Sequence, residues 1–163
     1  MGKSMQELLA ASVERNVVDG VILPNLKMQG TKEACAYLDE EGRCSIHPYR
    51  PGICRLFPLG RYYENGGFSY FLQTGECAKE NRSKIKVSKW IDTPDLTRNQ
   101  QFTLQWHDLL HAMEERLTGE DEGKQQEENL LLLRLFYLLP YKGTTDFYSQ
   151  FTERMEYWNE QIR

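Results

Sequence analysis

Apolar side chains recur at helical spacing near the N-terminus and again over the last 75 residues, while the stretch between them follows no long period. Over residues 4–16, Leu8, Leu9, Ser12 and Val13 fall on one helical period, and Ser4 with Glu7 three positions later has the capping-box pattern. Asp19-Gly20 then signals a turn. Val21, Ile22 and Leu23 form an apolar run that Pro24 stops, so at most a short strand is expected there, with loop over 24–34. Arg61–Glu64 and Phe68–Leu72 are aromatic-rich flanks around Asn65-Gly66-Gly67, the pattern of a β-hairpin. From about residue 88 the texture becomes helical. Pro94 is placed in the first turn of a helix running to Leu117, whose inward contacts are Phe102, Leu104, Leu109, Leu110, Met113 and Leu117. Thr118–Glu128 reads as a polar, acidic linker, and Leu130–Leu139 as an apolar segment that Pro140 ends. A last helix over 145–161 turns Phe147, Phe151, Met155 and Trp158 to one side.

These elements predict an α+β chain: a loop-rich segment with a small hairpin, over residues 1–90, packed on a C-terminal helical bundle over 91–163. At 163 residues the chain is long enough for a core without staples. A net charge of −4 argues against general nucleic-acid binding, which needs a basic surface. No run approaches the length of apolar residues a membrane span requires, and the N-terminus lacks a signal-peptide core. Gln6 stands where a myristoylation pattern wants a hydroxyl residue. The expected setting is the cytoplasm, where thiols stay reduced.

That setting changes the reading of the cysteines. Cys35, Cys44, Cys54 and Cys77 are the chain's four, spaced C-x8-C-x9-C-x22-C. Two disulfides would be natural in a secreted protein; in a reducing compartment four clustered thiols suit a tetrahedral zinc site or an iron–sulfur cluster. The spacing lacks the C-x2-C pairs of zinc ribbons and leaves both open. Arg50 and Arg55 flank Cys54, and cations near thiolates favour the charged, metal-binding form; surface ion pairing is the plainer role for both. Pro48, Pro51 and Pro58 restrict the loop and reduce the entropy lost when ligands are ordered. His47, beside the Cys44 loop, is a reserve ligand, although a loop histidine bonded to backbone is the simpler assignment.

The words between the cysteines are more specific than their spacing. Cys44-Ser45-Ile46-His47-Pro48-Tyr49-Arg50-Pro51-Gly52-Ile53-Cys54-Arg55-Leu56-Phe57-Pro58 resembles the signature C-x-I-(Y/H)-x-x-R-P-x-x-C-R-x-F-P of the YkgJ-like family, a zinc- or iron-chelating domain. Cys35-Ala36-Tyr37-Leu38 resembles that family's C-x-F/Y-L, and Cys77 its late cysteine; the likeness covers about residues 20–92. The region is also similar to the iron–sulfur part of flagellin lysine-N-methylases, which tilts the implied cofactor toward iron–sulfur over zinc. One departure is that family members carry an upstream C-x3-C-x2-C cluster, whereas this chain begins after the place where it would stand.

Elsewhere the chemistry is sparse. His107 and His111 are spaced i, i+4, but the sequence HDLLH lacks the glutamate of the metalloprotease motif, and two histidines leave a divalent site incomplete. Asp39, Glu40 and Glu41 read as a turn rim, and Trp90, Trp106 and Trp158 as core residues. No phosphate-binding glycine loop occurs. The sequence therefore predicts a metal-binding protein with a structural or electron-transfer role, acting with another protein rather than with nucleic acid or membrane. The alternatives are a methyltransferase-like, metal-dependent protein-modifying enzyme and a zinc-stabilised interaction module.

Overall fold

The structure, a computed structural model, describes residues 2–76 and 83–162. In chain order the elements are α1 (Met5–Ala11), β1 (Val13–Val18), β2 (Val21–Leu26), β3 (Met28–Gln29), β4 (Ala34–Cys35), a 3-10 turn (His47–Tyr49), α2 (Gly52–Leu56), β5 (Leu59–Glu64), β6 (Gly67–Leu72), α3 (Val87–Ile91), α4 (Leu96–Leu117), α5 (Glu122–Leu133), a π-helical turn (Arg134–Leu138) and α6 (Phe147–Gln161). The chain is α+β, with three small antiparallel two-stranded sheets among the described residues and its long helices in the C-terminal half. It divides into two units: residues 1–46 with 108–163, and residues 47–107.

In the first unit, Ser4 and Glu7 form the reciprocal cap of α1. Ser4 N donates to Glu7 Oε2 at 2.7 Å, and Glu7 N donates to Ser4 Oγ at 3.3 Å. The Ser4 N–H and the Ser4 hydroxyl, which donates to the same Glu7 oxygen at 2.8 Å, hold the Glu7 carboxyl below its ordinary value. The helix stops at Ala11 rather than continuing to 16. Val13, Val17 and Val18 are β-branched and lose side-chain freedom in a helix; here they pair with Leu26, Ile22 and Val21 in a hairpin turned by Asp19 (φ 51°) and Gly20 (φ 81°). The second strand passes through Pro24 instead of ending there. Pro24 faces Arg15, two pairs along from Val17–Ile22. Ile22 sends its N–H out of the ladder to Asn129, and alternation gives Pro24 the same outward position, where a missing N–H costs no ladder bond. Residues 24–34, expected as loop, contain β3, which pairs with β4 as Met28↔Cys35 and Gln29↔Ala34.

The residues expected to form an acidic linker, 118–128, are mostly helix. Asp121 Oδ1 accepts from Gly123 N and Lys124 N and starts α5, and Glu120 pairs with Lys124 one turn on at 2.7 Å. Gln, Glu and Lys are good helix formers, so polarity alone did not mark a linker. Only Thr118–Glu120 turns the chain, with Gly119 at φ 83°. Arg116 on α4 reaches Glu128 on α5 at 3.0 Å.

The first unit's core is aliphatic and aromatic. Leu109, Met113 and Leu117 of α4 are buried at four-residue spacing, with Leu132, Leu133, Leu135 and Phe136 from α5 and the π turn and Phe151 and Trp158 from α6. The π turn, in which Leu139 N donates to Arg134 O, rotates the apolar run so that both 132–133 and 135–136 are buried. Burial pushes the Tyr137 phenol up to about 12. Of the expected inward contacts, Phe102, Leu104, Leu110 and Met155 are half-buried and Phe147 is exposed.

In the second unit, Asn65 (φ 50°) and Gly66 (φ 70°) turn the predicted hairpin β5–β6. Gly60 lies opposite Phe71, whose ring occupies the place a Cβ at 60 would need. Arg61 lies over the Phe68 ring at 5.4 Å. Asp95 Oδ1 accepts from Arg98 N, so Pro94 precedes the α4 cap rather than sitting in its first turn. Among the described residues, the buried large apolar side chains of this unit are Leu56 and Ile91, while Tyr49, Ile53, Phe57, Tyr62, Phe71, Leu72 and Trp90 are exposed.

Candidate metal centre

Cys35 and Cys44 belong to the first unit and bracket a tightly bonded turn. Cys35 ends β4, and its carbonyl accepts from Leu38 N at 3.0 Å. Cys44 pairs with Leu38 in an isolated antiparallel bridge. The turn between them is fixed by Asp39, whose Oδ1 accepts from Glu41 N at 3.0 Å and from Arg43 N at 2.8 Å. Arg43 also pairs with Asp39 and Glu41, so this acidic cluster is a turn rim, as its sequence implied. Both thiols are half-buried and neither is in a disulfide.

Tyr37 holds this turn to the rest of the unit, a role the sequence reading did not assign. Its phenol shares a 2.5 Å hydrogen bond with Ser12 Oγ, and its carbonyl accepts from Ser45 N (2.8 Å) and Ser45 Oγ (2.9 Å). The signal available was the C-x-Y-L word itself, where an aromatic with a polar end lies two residues after a candidate ligand.

Cys54 belongs to the second unit. It sits in the middle of α2, a five-residue helix that Pro51 opens, and is half-buried. Arg55 does not act as a free surface cation. Its guanidinium donates to Pro48 O at 3.2 Å and to Asp92 O at 3.4 Å, tying the 3-10 turn to the end of α3. Trp90, expected in the core, is 40% exposed; its Nε1 donates to Phe57 O at 3.1 Å and so fixes the segment just after Cys54. The Phe57–Pro58 peptide is cis. Arg50 is half-buried, and its Nε is a buried donor without a hydrogen-bond partner. His47 is exposed in the 3-10 turn. Cys77 lies outside the described residues.

The thiols thus offer soft donors of the kind zinc and iron–sulfur centres use. Among the described residues no three His, Cys, Asp or Glu side chains are grouped so as to hold a metal ion. His107 stacks on Tyr63 with ring centroids 3.7 Å apart, and His111 faces Glu115 at 3.5 Å. No helix among the described residues is long and apolar enough to cross a membrane.

No curated protein and no solved structure matches the chain. A family does: residues 3–89 match CxxCxxCC, described as "Putative zinc- or iron-chelating domain". The match includes all four cysteines, the Arg-Pro-Gly-Ile-Cys-Arg stretch and the β5–β6 hairpin between the third and fourth. With more than half of its length matched, and with metal chelation as the family's described property, the chain belongs to the CxxCxxCC family.

Proposed function

We propose that Cys35, Cys44, Cys54 and Cys77 hold one metal centre, an iron–sulfur cluster in preference to zinc, and that the protein serves a structural or electron-transfer role with a partner protein. The observation that carries this reading is the family match, which includes every thiol of the chain and describes zinc or iron chelation. The character of the second unit supports it. With Leu56 and Ile91 as the buried large apolar side chains among its described residues, those residues gain little from hydrophobic burial. Small segments of this kind are commonly organised by a metal, whose binding free energy becomes folding free energy. The likeness to the methylase iron–sulfur region favours a cluster; the long spacers suit a cluster or zinc alike. A bound cluster would supply one-electron transfer. The chain's own part would be to fix the thiols: Tyr37 and Asp39 for the Cys35–Cys44 turn, Arg55 and Trp90 for the Cys54 segment.

Single substitutions test the ligand set. Cys54→Ser should abolish metal binding, whereas replacing His107 and His111 together by Ala should leave metal content unchanged. Full metal content in Cys54→Ser would refute a single four-cysteine centre.

A further inference from the structure

Away from the cysteines, the first unit holds a cleft of about 640 Å³ beside the π-helical turn. Its size lies within the range of small-molecule pockets, roughly 300–1,000 Å³. Leu131, Leu135 and Leu139 give it an apolar wall. At that wall sits Arg154, which is buried. Its Nη1 donates to Leu135 O (2.7 Å) and Leu139 O (3.0 Å), and its Nη2 to Pro140 O (3.0 Å). Tyr141 covers the guanidinium at 3.5 Å. The carbonyls satisfy hydrogen bonds but carry no formal charge, and among the described residues no carboxylate pairs with Arg154. Two more cations, Arg134 and Lys142, line the same cleft, are exposed and make no ion pair among the described residues. Glu153 is the one acidic lining residue, so the cleft carries an excess of positive charge on a chain whose net charge is −4.

We propose that this cleft binds a small amphipathic carboxylate, its anionic head between Arg134 and Lys142 near Arg154 and its aliphatic tail along Leu131, Leu135 and Leu139. An apolar wall lined also by three cations is the arrangement that selects such a molecule over a bare anion or a neutral alkyl chain. The π turn sets Arg134 and Leu135 at the cleft while sending Phe136 into the core. The site is independent of the metal centre.

The test uses octanoate as the probe, titrated calorimetrically into the full chain, with inorganic phosphate and octanol as comparison probes. Saturable binding of one octanoate per chain is expected, weakened about tenfold or more by Arg134→Gln with Lys142→Gln, with phosphate and octanol both weaker than octanoate. Both substituted residues are exposed, so the variant should fold. No octanoate binding, binding indifferent to the double substitution, or phosphate or octanol binding as tightly as octanoate would each overturn the proposal. The side-chain Nε–H resonance of Arg154 supplies a second readout: it should move on octanoate addition, and a stationary signal at saturation would also overturn it.

Discussion

Asn129 joins α5 to the first hairpin through one buried side chain, and its removal should weaken the first unit measurably. The residue is 2% exposed. Its Oδ1 accepts from Ile22 N at 2.6 Å, and its Nδ2 donates to Gly20 O at 3.0 Å and Gln125 O at 2.8 Å. In Asn129→Ala the Gln125 carbonyl keeps its place in the helix ladder, so little is lost there. Ile22 N–H faces away from its own ladder and would be left without an acceptor, which costs about 1–3 kcal/mol for a buried donor. Gly20 O, in a half-exposed turn, can recover water and adds about 0.5–1 kcal/mol. The expected loss is therefore about 1.5–4 kcal/mol. Urea unfolding followed by circular dichroism should give a lower midpoint with an unchanged slope. Amide exchange should show Ile22 losing protection ahead of the other hairpin residues. A loss below about 1 kcal/mol with Ile22 still protected would refute the claim that Asn129 clamps the hairpin.

Three further outcomes are expected. Gly60→Val places a side chain where the Phe71 ring lies; the half-exposed ring must swing away, costing about 1–2 kcal/mol of overpacking and lost cover, and an unshifted Phe71 ring resonance would contradict this. The Tyr137 phenol ionises near 10 when unfolded and is pushed up to about 12 when folded. The unfolded chain therefore releases its proton first, and Tyr137's contribution to stability, complete below about pH 10, is lost as pH rises toward about 12, by at most about 2–3 kcal/mol. Tyr137→Phe should flatten that part of a stability–pH curve, and identical slopes would rule the effect out. Arg154→Met removes the donor to three carbonyls and should cost about 3–5 kcal/mol; Arg154→Lys, with the charge but not the planar fork, should restore only part of it, and full restoration in urea unfolding would show that charge alone matters.

What the sequence made legible follows from which interactions are local. The Ser4–Glu7 cap and the Asn65-Gly66 turn are settled by three or four neighbouring residues, and both stand as read. The buried face Leu109, Met113, Leu117 and the burial of Phe151 and Trp158 follow from helical spacing. The misreadings came from competition between local signals. Val13 fits either the helical period of 4–16 or a strand, and pairing with Leu26 decided for the strand. The polarity of 118–128 points to a linker, while its helix propensity and the Asp121 cap determine its structure. Asn129, Gln150 and Arg154 are not legible as structural residues because their partners are backbone atoms: Gly20 and Ile22, Lys142 and Thr145, Leu135 and Pro140. Backbone partners leave no mark in residue identity. For the candidate site, residue types and the family word were legible. The supports were not: Tyr37 reaches back to Ser12, and Arg55 bonds carbonyls rather than acids.

The central claim is that the four thiols hold one metal centre, and metal and sulfide content of protein purified without oxygen, with a visible absorption spectrum, tests it most directly. Brown protein with about four iron and four sulfide per chain is the predicted result. Colourless protein with about one zinc per chain would keep the centre and refute the preference for a cluster. Protein without metal, its four cysteines freely titratable or paired as disulfides, would contradict the account.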